Sequence, residues 1–238
     1  MTNGRRRRNP VSVLGFRYYL VISASSLVIT ASACAADTNA VLDRWFTTQQ
    51  DVKTWSADFK QVRTFRALLM PLTSSGRIYF SAPEDFRWEL GDPAQTIAVR
   101  HEDQMCVVYP ALKRAERYPM GPGAPRQLRE TMSLLQAGLP RSRKEFESQF
   151  TLLSLDQTNG TWRLKVQPRS PGARQMLPEL WIGLATNDLS LASTLLVFGD
   201  GSTMENDYTN VVKNPVLDQA LFEWKPPEDF KVTSPAGR

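Results

Sequence analysis

The sequence predicts a mainly β domain with helices, of α+β class. Three observations carry that reading. About ten or eleven short runs alternate apolar with polar residues, the period of a half-buried strand. Turn-forming pairs such as Asn159-Gly160 and Asp200-Gly201 separate them at regular spacing. Only two or three stretches switch to a helical period. Regular short strands with few helices point to a barrel or sandwich whose open end the helices cap.

In chain order, residues 1–36 read as an export leader. Arg5, Arg6, Arg7, Arg8 and Arg17 make a basic start without an acid, and residues 18–30 form an apolar or small-residue run. That run is shorter than the roughly 20 residues a membrane-spanning helix needs. Ala31-Ser32-Ala33 and Cys34-Ala35-Ala36 both fit small-x-small cleavage sites. They predict a mature start at Cys34 or Asp37, with one domain over residues 37–238. Ala31-Ser32-Ala33-Cys34 also has the outline of a lipidation box that lacks its usual leucine. Cys34 is therefore removed with the leader, acylated as an anchor, or paired with Cys106. A lone Cys106 reads as a small apolar residue on a strand.

Residues 38–50 predict an amphipathic helix. Val41, Leu42, Trp45 and Phe46 share its face, with Thr38 or Asn39 as cap. Residues 55–65 switch to period two, with Phe59 and Gln61 on one side and Lys60 and Val62 on the other. Ala67-Leu68-Leu69-Met70 is an apolar connector broken by Pro71. Residues 76–90, GRIYFSAPEDFRWEL, predict a hairpin. Pairing Phe80 with Phe86 sets Ile78 opposite Trp88 and Gly76 opposite Leu90, so every large apolar side chain falls on one face. The same register sets Arg77 opposite Glu89 and Tyr79 opposite Arg87 on the other face. A one-residue slip would turn the aromatic face outward.

Residues 96–100 and 105–109 pair around His101-Glu102-Asp103-Gln104, and residues 114–119 add a strand. Gly121-Pro122-Gly123-Ala124-Pro125 interrupts the sheet pattern. A helix from Pro125 carries the stripe Leu128, Met132 and Leu135 and ends at Gly138 and Pro140. Strand signals resume at 150–155, 161–166, 177–184, 189–198 and 202–212, then at 222–224 and 230–232 around Pro226-Pro227.

The formal charge of +5 over 238 residues and pI near 9.4 come from the leader. Without its five arginines, the 29 basic residues fall to 24 and balance the 24 acidic ones. That removes the main case for nucleic-acid binding. His101 is the single histidine, and a zinc site would need more N or S ligands than the chain has. No G-x-S-x-G elbow, P-loop or G-x-G-x-x-G occurs. Glu84-Asp85 and Glu228-Asp229 are acid pairs in loops, where such pairs are usually solvated. The sequence thus predicts no catalytic residue, metal or cofactor. What remains is an excess of large apolar side chains on alternating faces. They predict either a filled core or an apolar cavity open to an acyl chain.

Phe59-x-Gln61, Gly76 with Ile78-Tyr79-Phe80, Pro83-Glu84-Asp85-Phe86-Arg87-Trp88 and Phe222-x-Trp224-x-Pro226-Pro227 stand in an order and spacing that resembles the LolA-type lipoprotein carriers of the LolA/LolB-like group. The likeness covers residues 38–232. It implies a strongly bent antiparallel half-barrel of about 10–11 strands covered by amphipathic helices. It also implies a monomeric periplasmic carrier that binds acyl chains of lipoproteins, or another lipid, and passes them towards the outer membrane. Its partners would be an inner-membrane exporter and an outer-membrane acceptor. The resemblance makes Phe59, Phe65, Ile78, Phe80, Phe86 and Trp88 cavity-facing and puts Leu128, Met132 and Leu135 on a lid. Ala82 stands where well-studied carriers have an arginine that holds the lid, and Arg87 is expected to face away. Apolar contacts are therefore expected to close this lid. Two alternatives remain: a receptor of the same group anchored through Cys34, or a non-catalytic interaction domain with a filled core. The receptor branch has a protruding apolar loop after the hairpin, and Gly91-Asp92-Pro93-Ala94-Gln95 has no large apolar tip.

Overall fold

The computed structural model describes residues 31–121, 124 and 137–234. The expectations for residues 1–30 and for the helix bearing Leu128, Met132 and Leu135 lie outside these residues. Twelve described strands form one sheet. The first meander comprises β1 (Thr54–Thr64), β2 (Leu72–Ser81), β3 (Asp85–Leu90), β4 (Thr96–His101), β5 (Gln104–Tyr109) and β6 (Arg114–Pro119). The second comprises β7 (Phe150–Thr158), β8 (Thr161–Pro168), β9 (Glu179–Ala185), β10 (Leu191–Val197) and β11 (Thr203–Lys213). β1 joins β11 antiparallel and so fuses the meanders. The short β12 (Lys231–Thr233) returns parallel to β6. The order β12-β6-β5-β4-β3-β2-β1-β11-β10-β9-β8-β7 does not close on itself. The architecture is the expected open, curved sheet with helices, with one strand more than expected.

Register shifts between Ser56 and Asp58, Leu152 and Ser154, and Leu191 and Ser193 add the bulges that bend such a sheet. Asn159 and Gly160 both take positive φ, as a tight two-residue hairpin turn requires. The central hairpin has the register its alternation dictates: Gly76↔Leu90, Arg77↔Glu89, Ile78↔Trp88, Tyr79↔Arg87 and Phe80↔Phe86.

The first helix, α1 (Ala31–Gln50), starts seven residues before the predicted one. Ala31, Ala33, Ala35 and Ala36 are strong helix formers with no breaker among them, so Thr38 and Asn39 sit inside the helix instead of capping it. Its predicted face is buried as expected: Val41, Leu42, Trp45 and Phe46 pack on the sheet. Two short helices were not foreseen, α2 (Arg143–Gln149) and α3 (Pro171–Met176). In α2 the Ser142 side chain accepts from the Glu145 backbone N–H at 3.1 Å, a cap the Ser-x-x-Glu spacing signals. Phe146, its one buried residue, meets Trp45 edge-on at 5.5 Å and Phe150 at 5.2 Å. Arg143 ties α2 to α1 through Asp43 at 2.6 Å and Asn39 at 2.9 Å.

Residues 222–224 are a correction. They follow a 3-10 turn, Gln219–Leu221, and form no strand. Phe222 is buried, and Trp224 packs with Phe230 against Val99, Cys106, Val108 and Ala115. These four belong to the outer face of β4–β6, so the tail of the chain covers a second, smaller core there. Cys106 is buried there as a free thiol, as its apolar setting predicts.

Candidate functional site

The inner face of the sheet has two unlike parts. On β8, β9 and β10, Leu164, Val166, Leu180, Ile182, Leu184 and Leu196 are all buried beneath the helices. On β2–β6 the inner residues are mixed. Phe80 and Phe86 are buried, while Ile78, Trp88, Ala98, Val107 and Tyr118 are half-buried against the same core. Phe59 from β1 lies with its ring 4.6 Å from that of Trp88. It fits because Gly76, its cross-strand partner, has no side chain: a Cβ there would come within 2.4 Å of the Phe59 ring. The structure thus brings Phe59, Ile78, Phe80, Phe86 and Trp88 onto one wall. Phe65 is elsewhere. It lies past the end of β1 under Arg63, whose guanidinium is 4.8 Å from its ring, in a hollow shared with Met176 and Phe198. Its placement is a correction to the single wall expected, and it follows from β1 ending at Thr64.

A polar ladder runs down the seam between the two parts. Gln61 Nε2 donates to Asn206 Oδ1 at 2.9 Å, and Asn206 Nδ2 donates to Thr194 Oγ1 at 3.1 Å. The Tyr208 hydroxyl is 3.3 Å from the same Thr194 oxygen. Gln61, Thr194 and Asn206 are buried and mutually satisfied. Burial pushes the Tyr208 phenol up to about 12.

Charged groups sit at both ends of the β2–β6 part. At one end Glu116 accepts from the Tyr118 hydroxyl at 2.7 Å and from Arg114. These two donors, tyrosine first, hold its carboxyl below the ordinary value of 4.5, and burial with Glu116 pushes Tyr118 up to about 12. At the other end the buried Arg100 pairs with Glu84. Arg141 also pairs with Glu84, at 3.0 Å, and donates to the carbonyl of Pro83. Two expectations change here. Glu84 is not simply solvated: it is shared between two arginines. And the chain just after residues 125–136 is fastened to the hairpin turn by charge-assisted bonds, so closure at this point is not only apolar. Arg141 thus brings an arginine to the turn that follows Ala82. Arg87 faces outward as expected, to Glu89 at 2.6 Å and the Leu221 carbonyl at 3.1 Å. His101 ends β4, with its Nδ1 3.2 Å from the Asp85 carboxylate.

Between hairpin and α2, Phe80, Pro83, Leu139, Arg141, Phe146 and Phe150 enclose a hollow of about 40 Å³. That is near the size of one water, against about 300–1,000 Å³ for a ligand pocket. Of the wall residues only Phe80 borders this hollow, and Arg141 stands at its rim. Four buried side-chain nitrogens, Trp45 Nε1, Arg100 Nε, His101 Nδ1 and Arg117 Nε, have no hydrogen-bond partner among the described residues. No group of three or more His, Cys, Asp or Glu side chains converges among the described residues. The backbone of Cys34 falls within α1.

The family model described as "Outer membrane lipoprotein carrier protein LolA" matches residues 50–225. A curated outer-membrane lipoprotein carrier protein from Dechloromonas aromatica (strain RCB) is 23% identical over 178 residues, covering 75% of this chain and 80% of the relative. Among solved structures, an uncharacterized conserved protein from Thermus thermophilus superposes with a TM-score of 0.48 at 12% identity, covering 83% of this chain and 99% of the other. A LolA superfamily protein from Nitrosomonas europaea does so with a TM-score of 0.40 at 7% identity, covering 78% and 97%.

Proposed function

Because the chain belongs to the LolA family of outer-membrane lipoprotein carriers, we propose that it is a non-catalytic periplasmic carrier that holds acyl chains of lipoproteins, or a related lipid, against the inner face of β1–β6. One observation carries the reading. Phe59, Ile78, Phe80, Phe86 and Trp88 share the inner face of an open sheet, where Ile78 and Trp88 are only half-buried beside the buried rings. A filled core has no need of such a gradient. Cargo would enter by displacing a lid, of which Leu128, Met132 and Leu135 are expected to be the apolar side. Among the described residues of the expected set, Phe65 alone lies apart from the wall, in a separate hollow. The buried donors Trp45 Nε1 and Arg100 Nε are suited to ester or headgroup oxygens of the cargo.

The protein is read as exported, with residues 1–36 removed and residues 37–238 acting as one domain. Cargo would pass from an inner-membrane exporter to an outer-membrane acceptor. Native mass spectrometry of the protein purified from cells tests the reading. The expected spectrum shows a mature start at Cys34 or Asp37 and a co-purified acyl ligand that Trp88→Ala loses. A spectrum free of ligand, with no binding of added fluorescent acyl probe, would favour the filled-core interaction domain. A diacyl or triacyl increment on Cys34 would identify an anchored protein.

A further inference from the structure

Among the described residues, the densest exposed apolar surface lies far from that wall, at the tip of the β1–β2 hairpin. Leu69 is 104% exposed and Met70 77%, with Leu68 and Leu72 about half exposed beside them. Four large apolar side chains within five residues are left to water on one loop, more than scattered surface residues explain. The hairpin outruns its neighbour on the β3 side, while β1 stays paired with β11 as far as Thr64. Gly76 is the last residue of β2 to pair with β3, opposite Leu90, whereas β2 continues to Leu72 paired with β1 alone. At the same end of the sheet, the turn Pro110–Leu112 between β5 and β6 exposes Leu112.

The electrostatics select the partner. From residue 59 to residue 83 the chain has Lys60, Arg63, Arg66 and Arg77 and no acid. Arg63 and Arg66 flank the apolar tip directly. Asp200 beside Arg66, Glu205 across from Val62 and Asp92 in the β3–β4 turn are the acids that face this end. Apolar side chains at the tip with arginines set one turn back form the pattern that enters the headgroup boundary of an anionic bilayer. There the leucines reach the acyl region and the guanidinium groups stay among the phosphates. The loop has no helical or strand repeat to match a protein groove.

We propose that residues 65–72 form a reversible docking tip for a membrane surface rich in anionic phospholipid. The tip lies on a different loop from residues 91–95, which lack an apolar point, and it is independent of whatever the concave wall binds. A contact of this size is transient, because a few apolar side chains and two cations hold a protein at a bilayer only weakly.

The test is flotation of the purified protein with phosphatidylglycerol–phosphatidylcholine vesicles and with vesicles of phosphatidylcholine alone. The wild type is expected to float with the anionic vesicles and to be released by salt. Leu69→Glu and Arg66→Glu should each weaken that binding about tenfold. Both sites are exposed, so thermal unfolding and acyl-probe affinity should stay as in the wild type. Because all three chains share one N-terminal region, only the loop distinguishes them. Equal flotation of wild type and Leu69→Glu, equal flotation on anionic and neutral vesicles, or none at all would overturn the proposal. So would Leu69-dependent capture of a soluble protein without vesicle binding, which would make the tip a protein-docking surface.

Discussion

The two halves of the sheet solve the same problem differently. β7–β11 bury an aliphatic inner face under α1 and α2, and Leu164, Val166, Leu180, Ile182 and Leu184 are sealed from solvent. β2–β6 carry rings and charges on their inner face, where Phe80, Phe86 and Met105 still belong to the main core, and β4–β6 add a second small core on the outer face, under Trp224 and Phe230. A strand pair needs only one face dry to be stable. With part of its outer face dry as well, the first half tolerates an inner face on which Ile78 and Trp88 stay half-buried. The difference teaches where to look for function in a sheet with uniform backbone pairing: in the half whose inner face is incompletely sealed.

Substitutions can break or sharpen that contrast. The largest effect is expected at Leu164→Ala, which should cost about 2–5 kcal/mol of stability and leave acyl-probe affinity per folded molecule unchanged. Trp88→Ala should do the reverse. Its ring is half-buried, so the stability loss should fall below the roughly 3–5 kcal/mol of a fully buried tryptophan, while probe affinity drops. Chemical denaturation and probe titration on both variants decide. Equal stability losses with unaltered affinity in Trp88→Ala would mean that both halves are ordinary core.

A smaller effect is expected at the fastening between the hairpin turn and residues 137–141. Arg141→Met removes the bonds to Pro83 and Glu84 but keeps the aliphatic stem. Stability should change by about 1 kcal/mol or less, since the pair is exposed. The off-rate of a bound acyl probe, read by stopped flow, should rise. An unchanged off-rate would show that this tie does not control access. Placing a second arginine at Ala82 should then matter little, because the Pro83 carbonyl already has a donor.

The smallest effect concerns acid. The folded state holds the Glu116 carboxyl below 4.5, so its contribution to stability is complete above that value and is lost as pH falls through the lower folded one. Glu116→Gln should therefore reduce Tm at pH 7 slightly, and the difference should shrink as pH falls below the ordinary carboxyl range. A Tm difference that is constant with pH would show that the carboxylate's charge plays no part.

Much of this was legible in the residues. The Gly76–Leu90 pairing followed from period two and from the cost of turning Phe80, Phe86 and Trp88 outward, and the α1 face followed from the spacing of Val41, Leu42, Trp45 and Phe46. The short helices were hidden because α2 has one buried apolar residue and α3 is a single turn of six. Phe222 to Trp224 alternates like a strand, but it pairs with none, and this part of the tail packs by its rings. The Arg100–Glu84–Arg141 cluster was illegible for another reason. Its members lie 16 and 57 residues apart and no spacing rule connects them.

The pairing of β1 with β11 has a consequence for how the chain is made. Gln61 meets Asn206 across 145 positions, so the middle of the sheet is completed only when a segment far along the chain from β1 has been synthesised. Until then β1 presents an unpaired edge, open to pairing with other chains, and contacts of such range form slowly. A chain that emerges N-terminus first must therefore be kept from associating until β11 arrives. Truncation before residue 203 should produce aggregates, with no folded first half to recover.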